Sequence, residues 1–191
     1  MARPREFDVD DAVGEALQVF WKQGYRGTSI PDLLQATGLE RGSLYKAFSD
    51  KHTLFELAVN SYLKSARAAL SQILDADGSP LLRLRTWMVR AIEGCFGAAG
   101  GRGCLAVNAM VELAPSDAKI RALLSRHWSL MERALEKNLR EGQRMGIIRD
   151  DTSAAELARV VVRTIVGAAA FSRQGNRSDV ANVLLRLVAT P

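Results

Sequence analysis

Apolar positions recur at helical spacing along most of the chain. Val9, Ala12, Val13, Ala16, Leu17 and Phe20 step at i, i+3 and i+4 behind Asp8, Asp10 and Asp11. This predicts an amphipathic helix with negative charge in its first turn, ended by Gly24. Ser29 and Asp32 read as a capping-box variant, and Pro31 suits the first turn of a short helix running to Thr37, with Gly38 as the turn. Another short helix is predicted from Arg41 to Phe48. Ser49 and Asp50 then offer cap oxygens to a long helix through Leu54, Leu57, Ala58 and Tyr62 to about Leu74.

Residues 75–80 (DADGSP) break the pattern. Beyond them the periodicity predicts a helix over 81–96, a loop over 97–103 (GAAGGRG), and a short apolar helix over 104–113. Pro115 is expected to open a long helix that carries Ile120, Leu123, Leu124, Trp128, Met131, Leu135 and Leu139 on one face and ends near Gly146. Two final helices are predicted over about 153–171 and 178–189. No strand pattern or internal repeat intrudes, so the expectation is an all-α fold of about nine helices.

With 191 residues, 48% of them hydrophobic, the chain has ample material for a core. Its formal charge of +5 suits a polyanionic partner. Residues 1–52, however, hold seven basic side chains against eight acidic ones, which argues against a binder that works through a broad basic face. Two cysteines, Cys95 and Cys104, are too few for a disulfide framework, and the opening residues lack the apolar core of a signal peptide. The longest apolar stretch, near 160–171, is interrupted by Arg163 and Thr164. No membrane span and a cytoplasmic location are expected. The only histidines are His52 and His127, the acidic residues are scattered, and no HExxH, GxSxG, CxxC or phosphate-loop motif occurs. Neither catalysis, metal nor cofactor is expected.

Residues 28–51 read TSIPDLLQATGLERGSLYKAFSDK: a helix, a glycine turn and a second short helix with apolar Leu39, Leu44 and Phe48, the pattern of a helix-turn-helix. The segment resembles the DNA-binding domain of the TetR family through Thr28, Gly38, Gly42, Ser43, Leu44, Tyr45, Phe48 and Lys51. It departs from the usual pattern at Leu34, where such units place a small residue at the helix crossing.

The resemblance implies a three-helix helix-turn-helix domain over 1–52 and an antiparallel helical bundle over 53–191 for effector binding and dimerisation. It implies a homodimeric regulator, a repressor released from a palindromic operator in double-stranded DNA by a small molecule or reactive species. Arg41, Ser43 and Lys46, beside Gly42, are the expected readers of base edges, arginine being suited to bidentate contact with guanine. Thr28, Tyr45, Lys51 and His52 are the expected phosphate contacts, and Arg3 and Arg5 a minor-groove arm.

For the effector cavity, the expected walls are Trp87, Phe96, Val107, Met110, Val111, Trp128 and Met131, with Arg90, Asn108, Glu112 and His127 as orienting polar groups and Cys104 in the same pocket. The segment GGRGCLAVNAMVELAP, with Cys104, resembles the Gly-Cys-Leu stretch of a TetR subgroup that includes regulators responsive to electrophiles and oxidants. Cys104 reads two ways, as an inert residue at a helix start or as a thiol activated beside Arg102. Cys95 could pair with it on oxidation only if the glycine loop folds back. Leu157, Val161, Ile165, Val166, Ala169, Val180, Val183, Leu184 and Leu187 are the expected four-helix dimer interface.

Overall fold

The structure, a computed structural model, describes residues 7–96, 102–172 and 179–190. Among them are nine helices: α1 (Val9–Gly27), α2 (Ile30–Thr37), α3 (Arg41–Phe48), α4 (Lys51–Leu74), α5 (Pro80–Phe96), α6 (Leu105–Glu112), α7 (Ala118–Arg144), α8 (Ala154–Phe171) and α9 (Val180–Val188). The fold is all-α, and among the described residues the one β-type contact is an isolated bridge between Ile148 and Ala189.

Local chemistry sets most boundaries. Asp8 accepts from the amides of Asp10 and Asp11 to start α1, and Ser29 and Asp32 form a reciprocal capping box on α2. Asp50 and Ser153 cap α4 and α8. Three boundaries differ from the sequence expectation. Helix α1 resumes for one turn to Gly27 after a break at Gly24, whose φ of 77° and ψ of 173° leave the helical region. Ser49 closes α3 with φ 63° and does not cap α4. Pro115 lies in a turn, and Asp117 opens α7 by accepting from the amides of Lys119 and Ile120.

Two main cores are threaded by α4. The first gathers α1, α2, α3 and the first half of α4 around Phe20, Leu33, Phe48, Phe55 and Leu63, and includes α6 and the start of α7 through Leu105, Ala109, Ile120 and Leu124. The second joins the rest of α4, at Leu70 and Ile73, to α5, α7, α8 and α9. Asn138 on α7 donates to the carbonyl of Pro80 at 2.9 Å, and Arg83 donates to that of Leu74 at 3.2 Å, fixing the α4–α5 connection. Helix α6 thus stands between the cores, one side on α1 and the other near α8.

Candidate nucleic-acid interface and internal cavity

Gly38 ends α2 in the left-handed region at φ 67°, which lets the chain reverse into α3 without a Cβ clash. Helix α3 buries Leu44 and Phe48 completely, which fixes its rotation. Arg41, Gly42, Tyr45 and Lys46 consequently face solvent, and Ser43 is half-buried. Tyr45, 39% exposed, is no part of the core. An outward helix with a guanidinium, an ammonium and a phenol is chemically equipped for base edges and phosphates. Leu34 is only partly buried, so its bulk is accommodated at the edge of the packing.

The other expected phosphate contacts are turned to internal work. Thr28 is buried, 2% exposed, and its hydroxyl donates to the carbonyl of Gly24 at 2.6 Å. Lys51 donates to the carbonyls of Tyr25 and Thr28 at 2.9 and 2.8 Å and lies 4.3 Å over the Tyr25 ring. His52 is held between Asp117 through Nε2 and Glu56 through Nδ1, and this contact keeps the Asp117 carboxyl below the usual range. These residues fasten the α1–α2 junction to α4 and α7. Arg3 and Arg5 lie outside the described residues.

A cavity of about 190 Å³ opens among α4, α5, α6, α7 and α8. It brings together seven of the expected cavity residues, Trp87, Arg90, Cys104, Val107, His127, Trp128 and Met131, of which Arg90 is exposed. Five expected residues are elsewhere. Phe96 and Met110 pack beside the wall without lining it. Val111 is 69% exposed, on the far side of α6. Asn108 donates to the carbonyl of Arg102 at 3.0 Å. Glu112 points away to α1, where its two oxygens accept from the amides of Tyr25 and Arg26 at 2.9 and 2.7 Å. The wall also contains Tyr62, Leu70, Ile73, Cys95, Ile165 and Val166, which were not expected there. The α4 stripe Tyr62, Ala66, Ala69, Ile73 was a legible signal for that side.

Cys104 caps α6 and receives the Tyr62 hydroxyl at 3.4 Å. The neighbouring Cys95 thiol, then the Tyr62 hydroxyl and the nearby Val107 and Ala106 amides, pull the Cys104 thiol below its ordinary pKa against the effect of burial. The neighbouring Cys104, with burial, pushes Cys95 up, and burial beside Cys104 pushes Tyr62 up. Both cysteines line one cavity. His127 is buried, its pKa lowered to about 4 by desolvation and by the charge of Arg67.

On α8 and α9 most of the expected dimer residues face inward. Leu157, Val161, Ile165, Ala169 and Leu184 are buried in the protomer, and Val166 and Val180 partly so. Of that set only Val183 and Leu187, 48% and 58% exposed, face out. Val160 and Phe171, at 54% and 61%, join them from α8. Both sides of these helices are apolar, and the side that packs at home cannot be the one left for a partner.

Among the described residues no helix is long and apolar enough to cross a membrane, and no three His, Cys, Asp or Glu side chains cluster as metal ligands.

Comparison with known proteins places both halves of the chain. A family model for bacterial regulatory proteins of the tetR family matches residues 13–58, and one for a Tetracyclin repressor-like C-terminal domain matches 80–187. The chain is 32% identical to the uncharacterized HTH-type transcriptional regulator YezE of Bacillus subtilis (strain 168), over 83% of this chain and 82% of that protein. It is 29% identical to the HTH-type transcriptional repressor ComR of Escherichia coli (strain K12), over 91% and 83%. A solved structure of the TetR family regulator CifR, a cysteine mutant complexed with 26-bp double-strand operator DNA, superposes with a TM-score of 0.79 at 28% identity. That match covers 97% of this chain and 95% of CifR.

Proposed function

The chain belongs to the TetR family of bacterial regulatory proteins, and on that premise we propose how it reads DNA and what releases it. It is a DNA-binding transcriptional regulator and not an enzyme. Residues 1–52 are the reading unit and 53–191 the effector-binding and dimerising part, working in the cytoplasm. The observation that carries the assignment of α3 as reading helix is its outward face: Arg41, Tyr45 and Lys46 exposed on a helix locked by buried Leu44 and Phe48. Arg41, Lys46 and Ser43 read base edges, and Tyr45 with the N-terminal amides of α2 and α4 holds phosphates. Thr28, Lys51 and His52 position the unit from inside.

Two protomers joined through Val160, Phe171, Val183 and Leu187 present two α3 helices about one DNA turn apart, roughly 34 Å, which calls for a palindromic operator. CifR bound to operator DNA supports this arrangement. A coupling of about 1–3 kcal/mol between cavity and reading head changes DNA affinity roughly 5- to 150-fold, enough for repression relieved by an effector. The low-pKa thiol of Cys104 in the cavity wall supports a reactive electrophile or oxidant as one such signal. If Cys104→Ser still leaves the operator normally on such treatment, the thiol has no part in release.

The direct test is titration of the full chain with DNA from upstream of its own gene against scrambled DNA at fixed salt. The expected result is a clear preference that an Arg41→Ala, Tyr45→Phe double variant loses, each base contact being worth about 1–3 kcal/mol. Equal binding to both DNAs by the wild type overturns the reading.

A further inference from the structure

A second recess abuts the inner cavity, and neither DNA reading nor the effector cavity uses it. It measures about 560 Å³, lies between α4, the start of α5 and α7, and shares Leu70 and Met131 with the inner cavity. Leu70, Leu74, Leu130, Met131 and Ala134 give it an apolar lining, while Arg67, Arg83 and Lys137 bring cations from three different helices. Asp75 and Glu141 are the carboxylates of the lining. Glu141 is taken by Arg83 at 2.7 Å, and exposed Asp75 accepts from the Ser71 hydroxyl at 2.9 Å.

Arg67 is in a different position. It is half-buried and pairs with no carboxylate among the described residues; its guanidinium meets Nδ1 of His127 at 3.5 Å. That ring is buried, and desolvation, then the charge of Arg67, lowers its pKa to about 4, so near neutral pH a cation faces a neutral imidazole. A neutral acceptor completes a hydrogen bond but leaves the charge uncompensated. A guanidinium stripped of part of its water favours an oxyanion. Lys137, exposed on α7, likewise has no carboxylate within ion-pair distance among the described residues.

We propose that this recess is a second binding site, for an amphiphilic anion: the apolar body lies on Leu70, Leu74 and Met131, and a carboxylate-, sulfonate- or phosphate-type head pairs with Arg67, with Lys137 adding positive charge from α7. Nothing in it requires the inner cavity to hold the effector.

Three probes separate charge from grease. 1-Octanesulfonate, anionic at every pH used, 1-octanol and inorganic phosphate are titrated calorimetrically into the full chain at pH 7. Octanesulfonate is expected to bind roughly five- to tenfold more tightly than octanol, the effect of a hydrogen-bonded charge pair discounted for partial exposure. Phosphate, with no apolar part, binds more weakly than octanesulfonate. Arg67→Gln loses the octanesulfonate advantage and retains octanol affinity. Ser71 lines this recess and not the inner cavity, so Ser71→Trp fills the recess from its exposed rim and abolishes octanesulfonate binding. Arg90→Gln, which removes the cation of the inner cavity, leaves octanesulfonate binding unchanged.

The wild type also gives a reading that needs no variant. An anion on Arg67 cancels a charge that opposes protonation of His127, so the His127 ring-proton resonance, followed from pH 7 to 4.5, is expected to begin titrating at higher pH with octanesulfonate than with octanol. Octanol binding as tightly as octanesulfonate, or an octanesulfonate advantage that survives in Arg67→Gln or Ser71→Trp, overturns the inference. So does an advantage lost in Arg90→Gln, which would put the anion in the inner cavity, or a His127 titration unmoved by bound octanesulfonate. If octanesulfonate does not bind a chain that still binds its operator, the second site falls and the DNA-reading assignment stands.

Discussion

Cys95 and Cys104 line the same cavity, and the Cys95 thiol, with the Tyr62 hydroxyl that donates to the Cys104 sulfur, favours the Cys104 thiolate. Cys104 is accordingly expected to react with iodoacetamide with a pH midpoint below the ~8.5 of a free thiol, while Cys95 stays unmodified. Peptide mass spectrometry across a pH series reads both, and Tyr62→Phe, which removes one donor to the sulfur, raises the midpoint. His127 titrates in the opposite sense for stability. Its folded pKa of about 4 lies below the unfolded value of 6.5, so the unfolded chain binds more protons between those limits. The contribution is present above about pH 6.5 and is lost as pH falls toward 4. Urea unfolding of wild type and His127→Gln at pH 7 and 4.5 is expected to show a smaller acid loss in the variant; an equal loss would mean the ring is protonated in the fold. Of these residues the sequence marked Cys104 and His127 as candidates. Tyr62 and Cys95 were not placed in the wall, because what gives them meaning is a neighbour 42 or 9 positions away across the fold.

At the scale of elements, α6 is the piece that joins α1 to the bundle of α4, α7 and α8. Its N-terminal end carries Cys104 and Val107 in the cavity wall, and its C-terminal end carries Glu112 on the amides of Tyr25 and Arg26. Just before α6, the carbonyl of Gly103 accepts from the Trp21 indole at 2.9 Å, and Arg102 stacks 4.4 Å over that ring. Helix α1 is therefore pinned at both ends of α6, so on the proposed function a shift of α6 is expected to reach the helix-turn-helix through α1. Glu112→Gln retains the shape but not the charge, and a charge-assisted bond is worth about 1.5–3 kcal/mol at most. The expected result is a lower melting temperature and weaker operator binding, both modest because the site is partly solvated. Gly24→Ala is expected to cost more: φ 77° with ψ 173° is nearly reserved for glycine, and a Cβ there would lie 2.9 Å from a Glu112 oxygen. Unchanged thermal stability in Gly24→Ala would show that the break is not required. Helix caps such as Ser29 and Asp32 were readable because both partners lie within three residues. The Glu112 clamp joins residues 86 and 87 apart, so Glu112 was assigned to the cavity instead.

For the whole molecule, the question is which side of α8 and α9 faces a second copy. Periodicity finds two apolar stripes on α8, one through Leu157, Val161, Ile165 and Ala169 and another through Val160, Thr164, Gly167 and Phe171, and nothing local ranks them. Packing does: the first is buried against α7 and α9, while the second leaves Val160 and Phe171 open beside Val183 and Leu187. Substitutions on the two stripes should therefore fail differently. Leu157→Ala removes buried core and is expected to lower unfolding free energy by about 2–5 kcal/mol while leaving association intact. Phe171→Glu places a charge on the open stripe and is expected to preserve helicity and the cavity but to yield monomers in sedimentation equilibrium. Because a palindromic site rewards two heads held at fixed spacing, the monomer should then bind a half-site and a full operator with the same affinity per head. A Phe171→Glu protein that remains dimeric would move the interface off this face, and with it the proposed spacing of the two α3 helices.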